Sequence, residues 1–174
     1  MNKFSMILLL AGALGVSACN NPDRFGAGGA GAGGAGGAGG INTASLGDPN
    51  DPNSPAYFNQ TIGDTVRFSV DQSILTMESQ NVLAGQAQWM NQHPQYNAVI
   101  EGHADEQGTR EYNIALGARR ANAVQEFLIA QGVSPARLRT VSYGKERPLA
   151  ICSDETCYAQ NRRAVTVITV GGGV

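Results

Sequence analysis

Long apolar runs, basic surplus and histidine are all scarce in this 174-residue sequence, and each scarcity excludes something. No stretch reaches the roughly 18–20 consecutive apolar residues that a membrane-spanning helix needs. Lysine and arginine number 12 against 14 aspartates and glutamates, a net charge of −2. A nucleic-acid binder needs a clustered basic surplus to displace counterions, so nucleic acid is excluded as a partner. Two histidines, His93 and His103, and three cysteines supply no recognisable zinc set. His103, Asp105 and Glu106 could be imagined as a hydrolytic site, but no serine or cysteine nucleophile has an evident base. No catalytic centre, metal or cofactor is expected.

Glycine, by contrast, is abundant, with 23 residues, ten of them between Gly26 and Gly40, where the chain is only glycine and alanine. That segment buries little and loses much entropy on ordering, so it reads as flexible coil. It sits between two other materials. Residues 1–18 carry Lys3, an apolar run from Met6 to Val16, and small residues before Cys19, the pattern of a secretory signal. Residues 19–56 read as a tether rich in glycine, alanine and proline, closing on Asp48-Pro49-Asn50-Asp51-Pro52-Asn53-Ser54-Pro55. Its root-mean-square span is about 30–35 Å and its extended limit about 120 Å.

Residues 57–170 have the composition of a folded domain, and residues 171–174 read as a frayed tail. Strands are expected at 65–70, 96–102, 138–143 and 164–170, and helices at 74–92, 109–131 and 153–161. The alternation predicts an α/β sandwich, βαβαβαβ, with a four-stranded mixed sheet and helices packed on one face. Thr109 is a suitable N-cap for the long helix and Gly132 a suitable stop. Its expected apolar stripe is Ile114, Ala118, Ala121, Val124 and Leu128.

Val16-Ser17-Ala18-Cys19 resembles the lipobox of bacterial lipoproteins. The resemblance implies acylation of Cys19 and, with Asn20 rather than aspartate following, a lipid anchor in the outer membrane with the domain on its periplasmic face. Several acyl chains hold far better than one, at about 0.8 kcal/mol per buried methylene. Cys152 and Cys157 then remain as a pair, for which an oxidising compartment favours a disulfide over a metal or redox role. With Ser153 as N-cap they would occupy the N′ and N4 positions, which meet in space.

The most informative run is Glu101-Gly102-His103-Ala104-Asp105-Glu106-Gln107-Gly108-Thr109, followed by Asn113, Leu116 and Arg120 on one helical face. Arg120 leans toward the helix N-terminus and so toward Asp105. On physics alone, an Asx-turn at Asp105 and a solvated helix face at Arg120 explain these residues more plainly than a pocket does. The whole run, with Val66-Arg67-Phe68-Ser69-Val70-Asp71, Val141-Ser142-Tyr143-Gly144 and Asn161-Arg162-Arg163-Ala164-Val165, resembles the OmpA-like domain family. Lipobox and tether narrow the resemblance to its peptidoglycan-associated lipoproteins. It implies a pocket for diaminopimelate, with Asp105 taking the ammonium and Arg120 the carboxylate. Asp71, Ser69, Val70, Asn113 and Leu116 would complete it. Peptidoglycan, TolB and other Tol proteins are the implied partners, with a role in cell division. A scaffold that mainly binds proteins is the alternative.

Overall fold

The computed structural model describes residues 47–170. The signal segment, Cys19, the glycine–alanine stretch and residues 171–174 lie outside the described residues. Four strands form one mixed sheet: β1 (Thr65–Arg67), β2 (Tyr96–His103), β3 (Leu138–Gly144) and β4 (Arg163–Val170). Their order is β1-β4-β2-β3, with β4 antiparallel to both neighbours and β3 parallel to β2. The helices are α1 (Pro55–Tyr57), α2 (Met77–Gln92), α3 (Arg110–Ala130) and α4 (Glu155–Asn161). This is the sandwich expected.

One face of the sheet is read directly from the two-residue period. Ala98 and Ile100 on β2, Ala164, Thr166 and Ile168 on β4, Val66 on β1 and Leu138 on β3 are all buried. Leu83 and Met90 of α2 and Val124 and Leu128 of α3 complete the same cluster. Burying each such side chain stabilises by about 1.5–3 kcal/mol relative to exposure. The helix α3 comes closest to the sheet where Gly117 meets Gly102, and a Cβ at Gly102 would collide with the Gly117 carbonyl. That glycine pair fixes how deeply the N-terminal half of α3 settles beside the end of β2.

Several boundaries differ from expectation for identifiable reasons. β1 ends at Arg67, although Phe68 still donates to the Arg162 carbonyl at 2.9 Å. The Thr76 side chain caps α2, so residues 74–76 lie outside the helix. Asp154 rather than Ser153 caps α4, its side chain accepting from Cys157 N. Cys157 therefore stands at N3, not N4, yet the two cysteines are joined, with Cα atoms 5.7 Å apart. On α3 the buried face is Asn113, Leu116, Gly117, Arg120, Ala121, Val124 and Leu128, leaving Ile114 and Ala118 half-buried beside it.

The largest departure is at the expected tether. Residues 48–56 do not trail away from the domain. Trp89 Nε1 donates to the Pro52 carbonyl at 2.7 Å, and a His93 ring nitrogen lies 3.0 Å from Asn53 Oδ1. Ser54 and Ala56 are buried. α1 then runs into a π-helical turn, Phe58–Gly63, that sinks Phe58 against Trp89 with ring centroids 5.0 Å apart. The folded unit begins about nine residues earlier than its composition suggests.

Candidate functional site

The loops that follow β1 and β2 meet over the first turns of α3. Gly108, at φ 88°, makes the turn into that helix, and Thr109 caps it by accepting from Tyr112 N at 3.2 Å. Asn113 Nδ2 donates to the Gln107 carbonyl at 2.8 Å, tying the β2 loop to the helix. The β1 loop is tied by Tyr112, whose hydroxyl donates to Asp71 Oδ1 in a short contact. That bond raises the Tyr112 pKa. Asp71 itself adopts φ 55°, a left-handed conformation uncommon outside glycine and most tolerated by asparagine and aspartate.

Between the loops lies a cleft of about 310 Å³. Val70, Asp71, Asp105, Asn113 and Leu116 line it, together with Gln107, Gly108 and Tyr112. Five of the seven residues expected there are thus brought together. Ser69 lies on the neighbouring side, lining a larger hollow of about 570 Å³ along the outer edge of β1. That hollow is bigger but chemically plainer, because its one buried cation, Arg162, is already ion-paired.

Asp105 is 7% exposed and serves two purposes at once. Its Oδ1 accepts from Gln107 N at 3.2 Å, the Asx-turn, and its Oδ2 accepts from Arg162 Nη1 at 3.1 Å. Asn113 is 1% exposed, and its Oδ1 has no hydrogen-bond partner among the described residues. An orphaned buried acceptor costs about 1–3 kcal/mol, so this atom is ready to take a donor. The cleft wall is accordingly rich in acceptors.

Arg120 is neither solvated nor extended into the cleft. It is fully buried, and each guanidinium nitrogen donates to a loop carbonyl: Nε to Gln72 at 2.8 Å, Nη1 to His103 at 2.8 Å and Nη2 to Ser69 at 3.2 Å. Its Cζ stands 5.2 Å from the Phe68 ring centroid. The cation thus sits behind both loops and holds them to α3. Burial pushes its pKa down to about 10, with the charges of Asp105 and Asp71 acting the other way. It remains protonated at neutral pH, yet no carboxylate is ion-paired with it among the described residues. Two of its five N–H groups are left over from the carbonyl bonds.

Arg162 and Tyr112 were not expected at the site. Burial works against the Arg162 charge, but its hydrogen bonds to Glu155 and Asp105 outweigh it and raise its pKa. Tyr112 had a usable signal, since it precedes Leu116 by four and Arg120 by eight on one helical face. His103, the imagined catalytic residue, is 2% exposed, and burial, then Arg163 and Arg147, lower its pKa to about 4. The only grouping of potential metal ligands among the described residues is Cys152, Asp154 and Cys157, whose sulfurs are bonded to each other.

The sequence profile of the OmpA family matches residues 67–162, more than half of the chain. The peptidoglycan-associated lipoprotein of Mesorhizobium japonicum is 56% identical over 115 residues, covering 66% of this chain and 68% of its own. That of Haemophilus influenzae is 40% identical over 166 residues, covering 95% and 98%. The crystal structure of the Burkholderia pseudomallei peptidoglycan-associated lipoprotein, 43% identical, superposes with a TM-score of 0.62 and covers 70% of this chain and 98% of its own. The C-terminal domain of Helicobacter pylori MotB, at 21% identity and a TM-score of 0.58, shares the fold alone. With identity spread over nearly the full length of one relative and the fold matched by a solved structure of another, the chain belongs to the OmpA family and, within it, to the peptidoglycan-associated lipoproteins.

Proposed function

We propose that this chain holds the outer membrane to the cell wall by binding peptidoglycan non-covalently through diaminopimelate, and that it catalyses no reaction. The observation that carries this reading is the buried Arg120 guanidinium, lacking a carboxylate partner, directly behind a cleft walled by acceptors. The free end of diaminopimelate bears an ammonium and a carboxylate on one carbon. Its ammonium meets Asp105, Asp71 and the orphaned Asn113 Oδ1. Its carboxylate takes the spare N–H groups of Arg120, displacing a carbonyl of the exposed Ser69–Gln72 loop, and charge assistance favours that exchange. Leu116 packs against the methylene chain.

Lysine in the same stem position keeps an amine but lacks the terminal carboxylate, leaving the Arg120 charge without a carboxylate partner. Such a loss costs about 2–5 kcal/mol, so discrimination of about thirtyfold or more is expected. Titrating the unlipidated Cys19→Ser chain with diaminopimelate-type and lysine-type muropeptides tests this. Equal affinities for the two would falsify the assignment of Arg120.

The lipid anchor on Cys19 and an outer-membrane, periplasm-facing location belong to the same proposal, supported by the lipobox. So does membership of the Tol assembly, with TolB as a partner, in supporting envelope integrity and constriction during division. Val70 and Tyr112 are exposed apolar groups lining the cleft. A protein docked there would compete with the cell wall.

A further inference from the structure

Asp105 is one end of a three-group cluster. Arg162 donates from Nη1 to Asp105 Oδ2 at 3.1 Å. The same guanidinium is held from its other side by both oxygens of Glu155, Nη1 to Oε2 at 3.4 Å and Nη2 to Oε1 in a short contact. The Arg162 and Asp105 side chains are 6% and 9% exposed, whereas that of Glu155 is 65% exposed. Two carboxylates therefore share one buried cation, and the cluster, which meets the cleft at Asp105, keeps a net negative charge. Without Glu155 the remaining ion pair would be neutral, leaving Arg162 to Asp105 and, through Nε, to the Phe68 carbonyl at 3.3 Å.

An exposed carboxylate holds a guanidinium weakly unless its backbone is fixed. Glu155 is fixed: it lies inside the ring closed by Cys152 and Cys157, five residues apart in sequence. Asp154, inside the same ring, caps α4 by accepting from Cys157 N at 3.1 Å. Glu155 and Arg162 are seven residues apart, so they face the same side across two helical turns.

We propose that Glu155, pinned by the Cys152–Cys157 bridge, is a positioning residue that draws the Arg162 guanidinium toward itself and so keeps Asp105 available to the ligand's ammonium. This rests on the reading of the cleft given above. The bridge, remote from the ligand, thereby sets the affinity of the cleft.

The test uses the full unlipidated chain and its variants Cys152→Ser/Cys157→Ser, Glu155→Gln and Glu155→Asp. The double-serine and Glu155→Gln variants should each bind both diaminopimelate-type and lysine-type muropeptides roughly threefold to fivefold more weakly, because both ligands present an ammonium. Glu155→Asp should restore most of the loss, and combining Glu155→Gln with the double-serine change should weaken binding no further. Unchanged affinity in the double-serine variant, or losses that multiply when combined, would overturn the proposal. A second readout needs no ligand: the Arg162 Nη2–H signal in NMR, donated to Glu155, should exchange with water faster in both variants, and an unaltered signal also overturns it. If the parent chain binds neither muropeptide, the reading of the cleft fails while the Arg162 signal still decides the coupling.

Discussion

The two ends of β2 carry the same kinds of residue and treat them differently. At its start, Arg137 donates to the carbonyls of Met90, His93 and Tyr96. There His93 uses both ring nitrogens, one against the Trp89 carbonyl at 2.7 Å and one against Asn53. At its finish, Arg120 likewise grips three carbonyls, but His103 has no partner for either ring nitrogen and Asn113 Oδ1 has none. Acidic side chains surround only the second arginine. A polar cluster with every group paired works as a clasp. One with groups left over, beside a cleft, fits the binding role proposed above.

Replacing each arginine separates these roles most sharply. Arg120→Ala should abolish co-sedimentation with purified peptidoglycan and also lower stability by about 3 kcal/mol, because the buried His103 carbonyl and two carbonyls of the β1 loop lose their donor. Arg137→Ala should destabilise comparably in urea titration while co-sedimentation survives below the unfolding transition. Loss of cell-wall binding in both variants would erase the distinction between clasp and receptor. Next in size, Asp105→Asn should weaken binding roughly tenfold by leaving the ammonium with Asp71 as its one charged partner. Far-UV circular dichroism should be unchanged.

The smallest expected effect concerns pH. Burial, assisted by Arg163 and Arg147, holds His103 near a pKa of about 4, below its ordinary 6.5. The unfolded chain therefore takes up this proton first as pH falls. The His103 contribution to stability is present above about pH 6.5 and is lost progressively toward pH 4. Thermal melts across that window should show a shallower decline for His103→Gln than for the parent chain. Parallel curves would mean that His103 finds a partner when protonated, Glu101 Oε2 at 3.7 Å being the nearest acid.

What the sequence made legible follows from local rules. Period-two alternation located β1, and the spacing of Asn113, Leu116 and Arg120 put them on one face of α3, without showing that this face is buried. Asp105 and Arg120 are only 15 residues apart, joined by one turn and one helix, so their neighbourhood could be worked out from helix geometry. Arg162 could not, because its meeting with Asp105 across 57 residues depends on the sheet order. The orientation of Arg120 was also hidden. Its carbonyl partners lie 48 and 51 residues away on the β1 loop, and no side-chain pattern announces a backbone acceptor. Residues 48–56 misled by composition: Asp-Pro-Asn repeats look like linker, and it is the Trp89, His93 and Tyr96 side chains that give them something to dock on. Ser153 and Asp154 are both good capping residues, and local chemistry does not choose between them.

Because residues 52–53 dock at the Tyr96 end of β2 and the cleft opens at its His103 end, the chain's point of entry and its occupant are separated by the length of that strand, about 23 Å. Tension between the two runs along β2, which lies inside the sheet with β4 on one side and β3 on the other. Pulled that way, the ladder is sheared, with its rungs loaded together rather than unzipped one after another. On the function proposed above, a pull between membrane and wall loads the domain in its stiffest direction.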